Sequence, residues 1–340
     1  MTGDQPLTKQ TGTVQKSWED SILTDRFGAA FRYYRDGWKR VSLREYVPDF
    51  PLYLQLETTP RCNLRCRSCI QGYREIRQPY IAIERLMPID LYRRIIDEAK
   101  QYGCPSISFH NNCEPLLDPL LEERIAIARK AGFLDIILVT NATLLNEERA
   151  YRILEAGLTK ISFSIDACSS DTYRKNRVGG DFDVVQKNIL RFLEQKEELG
   201  RDIPLTRVSF VVTNLNNQEK QEFERFWSGR VDAVEFQNFT PLLGYNEDLI
   251  LPGWEPNREF QCSFPWKQVV IRANGDLLPC CSFYGHEVVI GNVHQKTIYN
   301  LWHSQKMKDL RYQLARGRFP YAPCRRCAGS NYAPRKEPNP

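Results

Sequence analysis

Nowhere in these 340 residues does an apolar run reach the eighteen or so needed for a helix to cross a membrane. The opening residues, M-T-G-D-Q-P-L-T-K-Q, lack the apolar stretch of a secretory signal. These two absences argue against a membrane partner and for a cytoplasmic location. No internal repeat and no low-complexity tract is present. A strong charge of one sign is missing too: 47 Lys and Arg face 42 Asp and Glu, a net charge of +5. So small an excess, spread along the chain, reads as solvated surface and not as a nucleic-acid footprint. Its densest local cluster, Arg61, Arg65, Arg67, Arg74 and Arg77, surrounds a cysteine motif and suggests anionic ligands there.

Cysteine is what the chain has in quantity, with 11 residues. Disulfides are disfavoured in a reducing compartment, so spaced cysteines point to metal or redox chemistry. Two groups stand out. Cys62-Asn-Leu-Arg-Cys66-Arg-Ser-Cys69 lets one short loop wrap three thiolates around a metal cluster. Three ligands on a four-iron cluster leave one iron open to bind and activate a small molecule. The competing reading, a zinc knuckle, needs a fourth ligand, and His110 is the only histidine near in sequence. The second group is Cys262, Cys280, Cys324 and Cys327, with Cys281 adjacent to Cys280. Four thiolates close either a cubane cluster or a zinc site.

Between these groups the pattern is regular. Apolar runs at Tyr53–Glu57, Ser106–His110, Asp135–Thr140, Lys160–Ile165, Arg207–Val212 and Ala233–Gln237 predict strands. Amphipathic stretches at 89–102, 119–131, 146–156, 183–199 and 217–228 predict the helices between them. Such alternation is the signature of a parallel sheet with crossover helices, an open barrel whose site gathers at the strands' C-terminal ends. Residues 1–50 are polar with aromatics at Phe27, Phe31, Tyr33, Tyr34 and Trp38, and read as a cap packed on the body. Residues 241–261 carry three prolines and two glycines and read as a linker. Lys267–Arg272 and Leu277–Pro279, joined by Ala273-Asn274-Gly275-Asp276, predict a hairpin. Residues 298–316 look helical, and 331–340 form a polar tail.

The C-x3-C-x2-C motif directly after the first strand resembles the radical S-adenosylmethionine (SAM) superfamily, over about residues 51–330. The pattern C…P-W…G-D-L-L-P-C-C…I-G-N-V…L-W…C-x2-C resembles the SPASM/twitch extension of that family. The resemblance implies an α/β fold: a partial (β/α)6 barrel over 51–245 and a small C-terminal α+β twitch/SPASM-like domain over 246–330. No cysteine follows Cys327, so the expected layout is the short form with one auxiliary cluster, similar to that of the 2-deoxy-scyllo-inosamine dehydrogenase family. Implied cofactors are SAM and two [4Fe-4S] clusters, one on Cys62, Cys66 and Cys69, the other on Cys262, Cys280, Cys324 and Cys327. Cys281 is a possible substitute for Cys280. A flavodoxin- or ferredoxin-type protein would donate the electron.

Matched residue by residue, the family's SAM contacts fall on Ser68, which replaces the usual aromatic before the third cysteine, and on Glu114. Asn141, Ser164, Asp166, Arg177 and Val212 complete the set. Glu114 matches the acid that meets SAM's amino group, although Asn111-Asn112-Cys113 replaces the glycines before it. Arg177 would pair with SAM's carboxylate, a task suited to a bidentate guanidinium. Ser164 and Asp166 would meet the ribose, and Val212 the adenine; taken alone, Ser164 and Asp166 also read as helix caps. Cys113 and Cys168, at strand ends, are candidate hydrogen donors, or simply small buried hydrophobes.

The expected reaction is hydrogen abstraction from a small polar metabolite, such as a sugar, an aminocyclitol or a nucleoside sugar acid, in natural-product (antibiotic) biosynthesis. Its outcome is oxidation, as by a dehydrogenase, or redox-neutral decarboxylation or epimerisation. Residues 1–50 look too short for a leader-binding domain, which sets peptide epimerisation or crosslinking second. A non-catalytic electron-transfer or zinc-binding module is the reading from another class.

Overall fold

The computed structural model describes residues 20–81 and 86–334. The first part of the expected N-terminal cap and the end of the expected tail lie outside the described residues. The chain enters as α1 (Asp20–Ser42), kinked at Gly28, whose φ of +61° only glycine adopts without strain. Its apolar face, Leu23, Phe31 and Tyr34, packs on Ile203 and Leu205 at the start of a later strand.

The body alternates as the spacing predicts. The parallel strands are β1 (Tyr53–Leu56), β2 (Ser106–Phe109), β3 (Asp135–Thr140), β4 (Lys160–Ser164), β5 (Leu205–Val212) and β6 (Ala233–Asn238). Between them run α2 (Arg74–Ile81), α3 (Ile89–Gln101), α4 (Leu121–Ala131), α5 (Glu147–Ala156), α6 (Ser170–Asn176), α7 (Phe182–Glu198) and α8 (Lys220–Trp227). Helix α3 shows why these stretches are helical. Leu91, Tyr92, Ile95, Ile96 and Ala99 recur every three to four residues, and all five are buried. Side-chain caps start α5 at Asn146, α6 at Ser169 and α7 at Asp181. Each fully buried Leu, Ile or Phe contributes roughly 1.5–3 kcal/mol relative to exposure. One apolar core runs from Val41 in α1 through the sheet to Leu314 near the C-terminus.

After β6 the chain pairs back onto the same sheet. The short β7 (Trp254–Pro256) lies inside the expected linker, then α9 (Phe264–Lys267) leads into β8 (Gln268–Ile271), β9 (Asp276–Leu278) and β10 (Gly291–Asn292). Strands β8 and β9 form the expected hairpin, with Gly275 at φ +85° in its turn. Strand β8 lies parallel to β1, so among the described residues the sheet has nine strands in the order β10-β9-β8-β1-β2-β3-β4-β5-β6. The expected helix over 298–316 is two, α10 (Ile298–Trp302) and α11 (Gln305–Ala315), because Ser304 caps the second. Helix α12 (Ala322–Gly329) and β11 (Tyr332–Pro334) end the described chain. β11 pairs with β7, so both linker and tail contribute strand where loop was expected. Three-residue strands carry too little local pattern to be read without their partner.

Candidate functional site

The loop after β1 carries the first cysteines and is zipped onto the segment after α6. Arg65 N–H donates to the Val178 carbonyl at 2.8 Å, and Arg67 N–H to that of Asn176 at 3.0 Å. Gly72 lies against the turn, where a Cβ would stand 2.4 Å from the Cys66 carbonyl oxygen. Cys62, Cys66 and Cys69 thereby line one cavity of about 560 Å³ at the C-terminal ends of the strands. Burial pushes all three thiols up, Cys69 to about 12. The Arg177 guanidinium beside Cys66 partly counters that effect.

Ser68, Glu114, Asn141, Ser164 and Arg177 line the same cavity. The Glu114 carboxylate is buried and accepts from Thr140 Oγ1 at 2.6 Å, Asn141 N–H at 2.8 Å and Leu116 N–H at 3.0 Å. Burial raises its pKa despite these donors. Asn141 Nδ2 stands 3.9 Å from Cys62 Sγ and donates to Asn63 Oδ1 at 2.9 Å, tying the end of β3 to the cysteine loop. Asn112 Nδ2, in the wall, is buried without a hydrogen-bond partner. An unpaired buried donor of this kind fits a polar ligand in the cavity.

Three of the expected roles meet a different geometry. Asp166 does not line the cavity. It is 2% exposed, and its carboxylate pairs with Arg177 at 2.6 Å and accepts from Val211 N–H at 2.7 Å, leaving none of it facing a ribose. With φ at +62° and a carbonyl accepting from Asn216 Nδ2 at 2.9 Å, Asp166 instead locks β4, β5 and α6 together and aims Arg177. Val212 faces the helices as part of the core, and its neighbour Val211 lines the cavity, because successive strand residues point to opposite faces. Cys113 lines the cavity, whereas the Cys168 thiol turns to the Glu219 carbonyl at 3.5 Å, outside it.

The second group gathers around a separate small cavity, lined by Cys262, Cys280, Cys324 and Cys327. Cys324 and Cys327 sit one helical turn apart on α12. Ser282 Oγ donates to Cys327 Sγ at 3.2 Å, and Gly285 packs against Cys280. Burial raises all four thiols, Cys262 to about 12. Cys281 faces away from them into the barrel. Among the described residues no three His, Cys, Asp or Glu side chains converge closely enough to share one metal ion.

A further cavity of about 650 Å³ occupies the lower barrel, towards α1. His110, Val139, Gln237, Phe264 and Cys281 line both it and the upper cavity, so the two adjoin along the barrel lumen. Spacing marked His110 only as a distant zinc candidate, and only its strand position places it here. Burial and the nearby Arg207 hold its pKa down at about 4, so at neutral pH the ring is uncharged.

Comparison with known proteins follows the same division. Residues 56–226 match the radical SAM superfamily model, and residues 262–328 match SPASM, an iron–sulfur cluster-binding domain. The chain is 28% identical over 302 residues to the tungsten-containing aldehyde ferredoxin oxidoreductase cofactor-modifying protein of Pyrococcus furiosus, spanning 76% of this chain and 83% of that protein. It is 33% identical over 140 residues to the probable GTP 3′,8-cyclase of Methanococcus maripaludis, spanning 41% of this chain but only 45% of the cyclase. The fold is similar to that of Streptococcus suis SuiB bound to S-adenosylmethionine, with a TM-score of 0.63 at 18% identity over 87% of this chain and 75% of SuiB. Among the described residues no helix is long and apolar enough to cross a membrane. With SAM and iron–sulfur clusters as its cofactors, the chain belongs to the radical SAM superfamily and carries a C-terminal SPASM domain.

Proposed function

We propose that this enzyme abstracts a hydrogen atom from a small polar metabolite held in the barrel lumen, a sugar, an aminocyclitol or a nucleoside sugar acid. The observation that carries the reading is that the cysteine-lined cavity adjoins a lower cavity into which charged and amide side chains, among them Gln55, Lys160, Arg207, Lys267 and Gln268, are set between apolar walls. The donor sets fit the cofactors. Cys62, Cys66 and Cys69 would hold the cluster that binds SAM, and Cys262, Cys280, Cys324 and Cys327 a closed second one. The match of residues 262–328 to an iron–sulfur cluster-binding domain favours a cluster over a zinc ion at the second set. Held at the first set, SAM and the cluster would supply radical chemistry able to take hydrogen from an unactivated C–H bond.

The remaining work falls to the protein. Glu114 would accept from SAM's amino group. Arg177, aimed by Asp166, would attract SAM's carboxylate, and Ser68, Asn141, Ser164 and Val211 would shape the rest of the pocket. Phe239, Phe264 and Phe283 line the same cavity and would keep water from the reacting carbon. Cys113 lines this space and remains the candidate hydrogen donor for a redox-neutral outcome. The second cluster suits the exchange of one electron in an oxidation.

Reconstituted protein should hold about eight irons per chain. Replacing Cys62, Cys66 and Cys69 with Ala should leave about four and abolish SAM cleavage. Glu114→Ala should weaken SAM binding by on the order of 2 kcal/mol with both clusters assembled. About four irons in the wild type, the balance made up by zinc, would overturn the second-cluster assignment.

A further inference from the structure

The lower lumen carries two acids, and each is already taken. Asp135 pairs with Lys160 at 3.1 Å and Glu235 with Arg207 at 2.8 Å. Lys267, at the end of α9, also lines this space; the titratable groups it faces are the thiols of Cys281 and Cys262, and among the described residues no carboxylate pairs with it. Its ammonium rests over Trp38 at 4.9 Å and Phe264 at 5.2 Å, ring faces that hold a cation without neutralising it. Beside it Gln268, only 3% exposed, lines the same space with its amide set against the Cys281 thiol, a weak acceptor, and among the described residues neither its Nε2 nor the buried His110 Nδ1 makes a hydrogen bond of normal geometry. Buried donors are almost always well satisfied, so a cation with no carboxylate and an amide held only by a thiol on one wall mark the place of a stronger acceptor.

We infer that Lys267 and Gln268 form a subsite for an anionic group of the substrate, a carboxylate or phosphate, at the floor of the lumen. The inference rests on the reading of the lumen as the substrate site, and among the metabolites proposed it selects acids. Anchored there, the body of the molecule extends past His110 and Cys281 towards the cysteine-lined cavity. One charge-assisted contact then fixes which carbon faces the SAM pocket.

The experiment uses the reconstituted holoprotein and three acid–neutral pairs: glucuronate with methyl glucuronate, malate with malamide, and glycerol phosphate with glycerol. Saturation-transfer NMR and calorimetry report binding. At least one acid should bind about tenfold tighter than its neutral partner, the gap should close in Lys267→Met and narrow in Gln268→Leu, and Lys267→Arg should restore it. The pair showing the gap tells carboxylate from phosphate. No acid preference in any pair, or one that survives both variants, overturns the inference. So does a Lys267→Met protein that keeps the preference while the electron paramagnetic resonance of its second cluster changes, since Lys267 would then serve that cluster. SAM binding by the wild type is measured alongside. Its loss would count against the enzyme reading itself, whereas its presence without acid preference would count against this subsite alone.

Discussion

Asp166 shows how much one side chain organises. It is 3% exposed at its side chain, and its partner Arg177 is 11% exposed, so the pair is all but cut off from water. Removing one partner of such a pair leaves a lone buried charge and costs about 3 kcal/mol. Asp166→Asn should lower the free energy of urea unfolding by that amount, and the double change with Arg177→Met should recover part of it. An Asp166→Asn midpoint equal to the wild type would show that the pair carries no weight. His110 sets a pH dependence. Its folded pKa of about 4 lies below the ordinary 6.5, so between those values the unfolded chain binds the proton and the folded chain does not. The contribution is unimpaired above 6.5 and is lost as pH falls towards 4, reaching roughly 3 kcal/mol. The slope of unfolding free energy against pH in that window should be shallower in His110→Asn, and identical slopes would contradict this burial-driven shift.

Among the elements, the hairpin β8–β9 does two jobs at once. It supplies Gln268 and Arg272 to the barrel, and it delivers Cys280 to the second cysteine group. Arg272 pairs with Glu57 at the end of β1 at 3.2 Å and donates to the Tyr80 carbonyl at 2.9 Å, so the hairpin is pinned to the loop that carries the first cysteines. The short turn after it is tightly packed. A Cβ on Gly285 would stand 2.7 Å from Cys280 Sγ and 2.9 Å from the Cys280 carbonyl oxygen. Gly285→Ala should therefore displace Cys280 and lower reconstituted iron from about eight towards about four per chain. An iron and sulfide content matching the wild type would show that the turn yields without cost to the site.

For the whole molecule, the decisive fact is that β8 lies beside β1 in one sheet over one core. A chain ending near residue 258 would leave β1 an open edge and strip Trp266, Trp302 and Leu314 from that core. It should show no sharp thermal transition by circular dichroism, and a cooperative melt would mean that the barrel stands alone. Much of this architecture was legible in the chain itself. Alternating apolar runs fixed six parallel strands to within a residue or two, because period and turn chemistry are local properties. The first cysteine group and the Cys324–Cys327 pair were legible because short spacings confine ligands whatever surrounds them, whereas Cys262 and Cys280 are brought to that pair only by the fold. Facing and pairing were not. That Cys280 joins the other three thiols while Cys281 enters the lumen depends on the path of the backbone after β9. So does the choice of Val211 over Val212, which turns on strand register. That Cys168 turns to Glu219, Asp166 to Arg177 and β8 to β1 depends on partners distant in sequence. Composition and spacing thus determined the fold class and two metal-binding cysteine groups, the motif's resemblance to a family named their cofactors, and tertiary packing decided which face each side chain presents, since only contact between distant segments selects it.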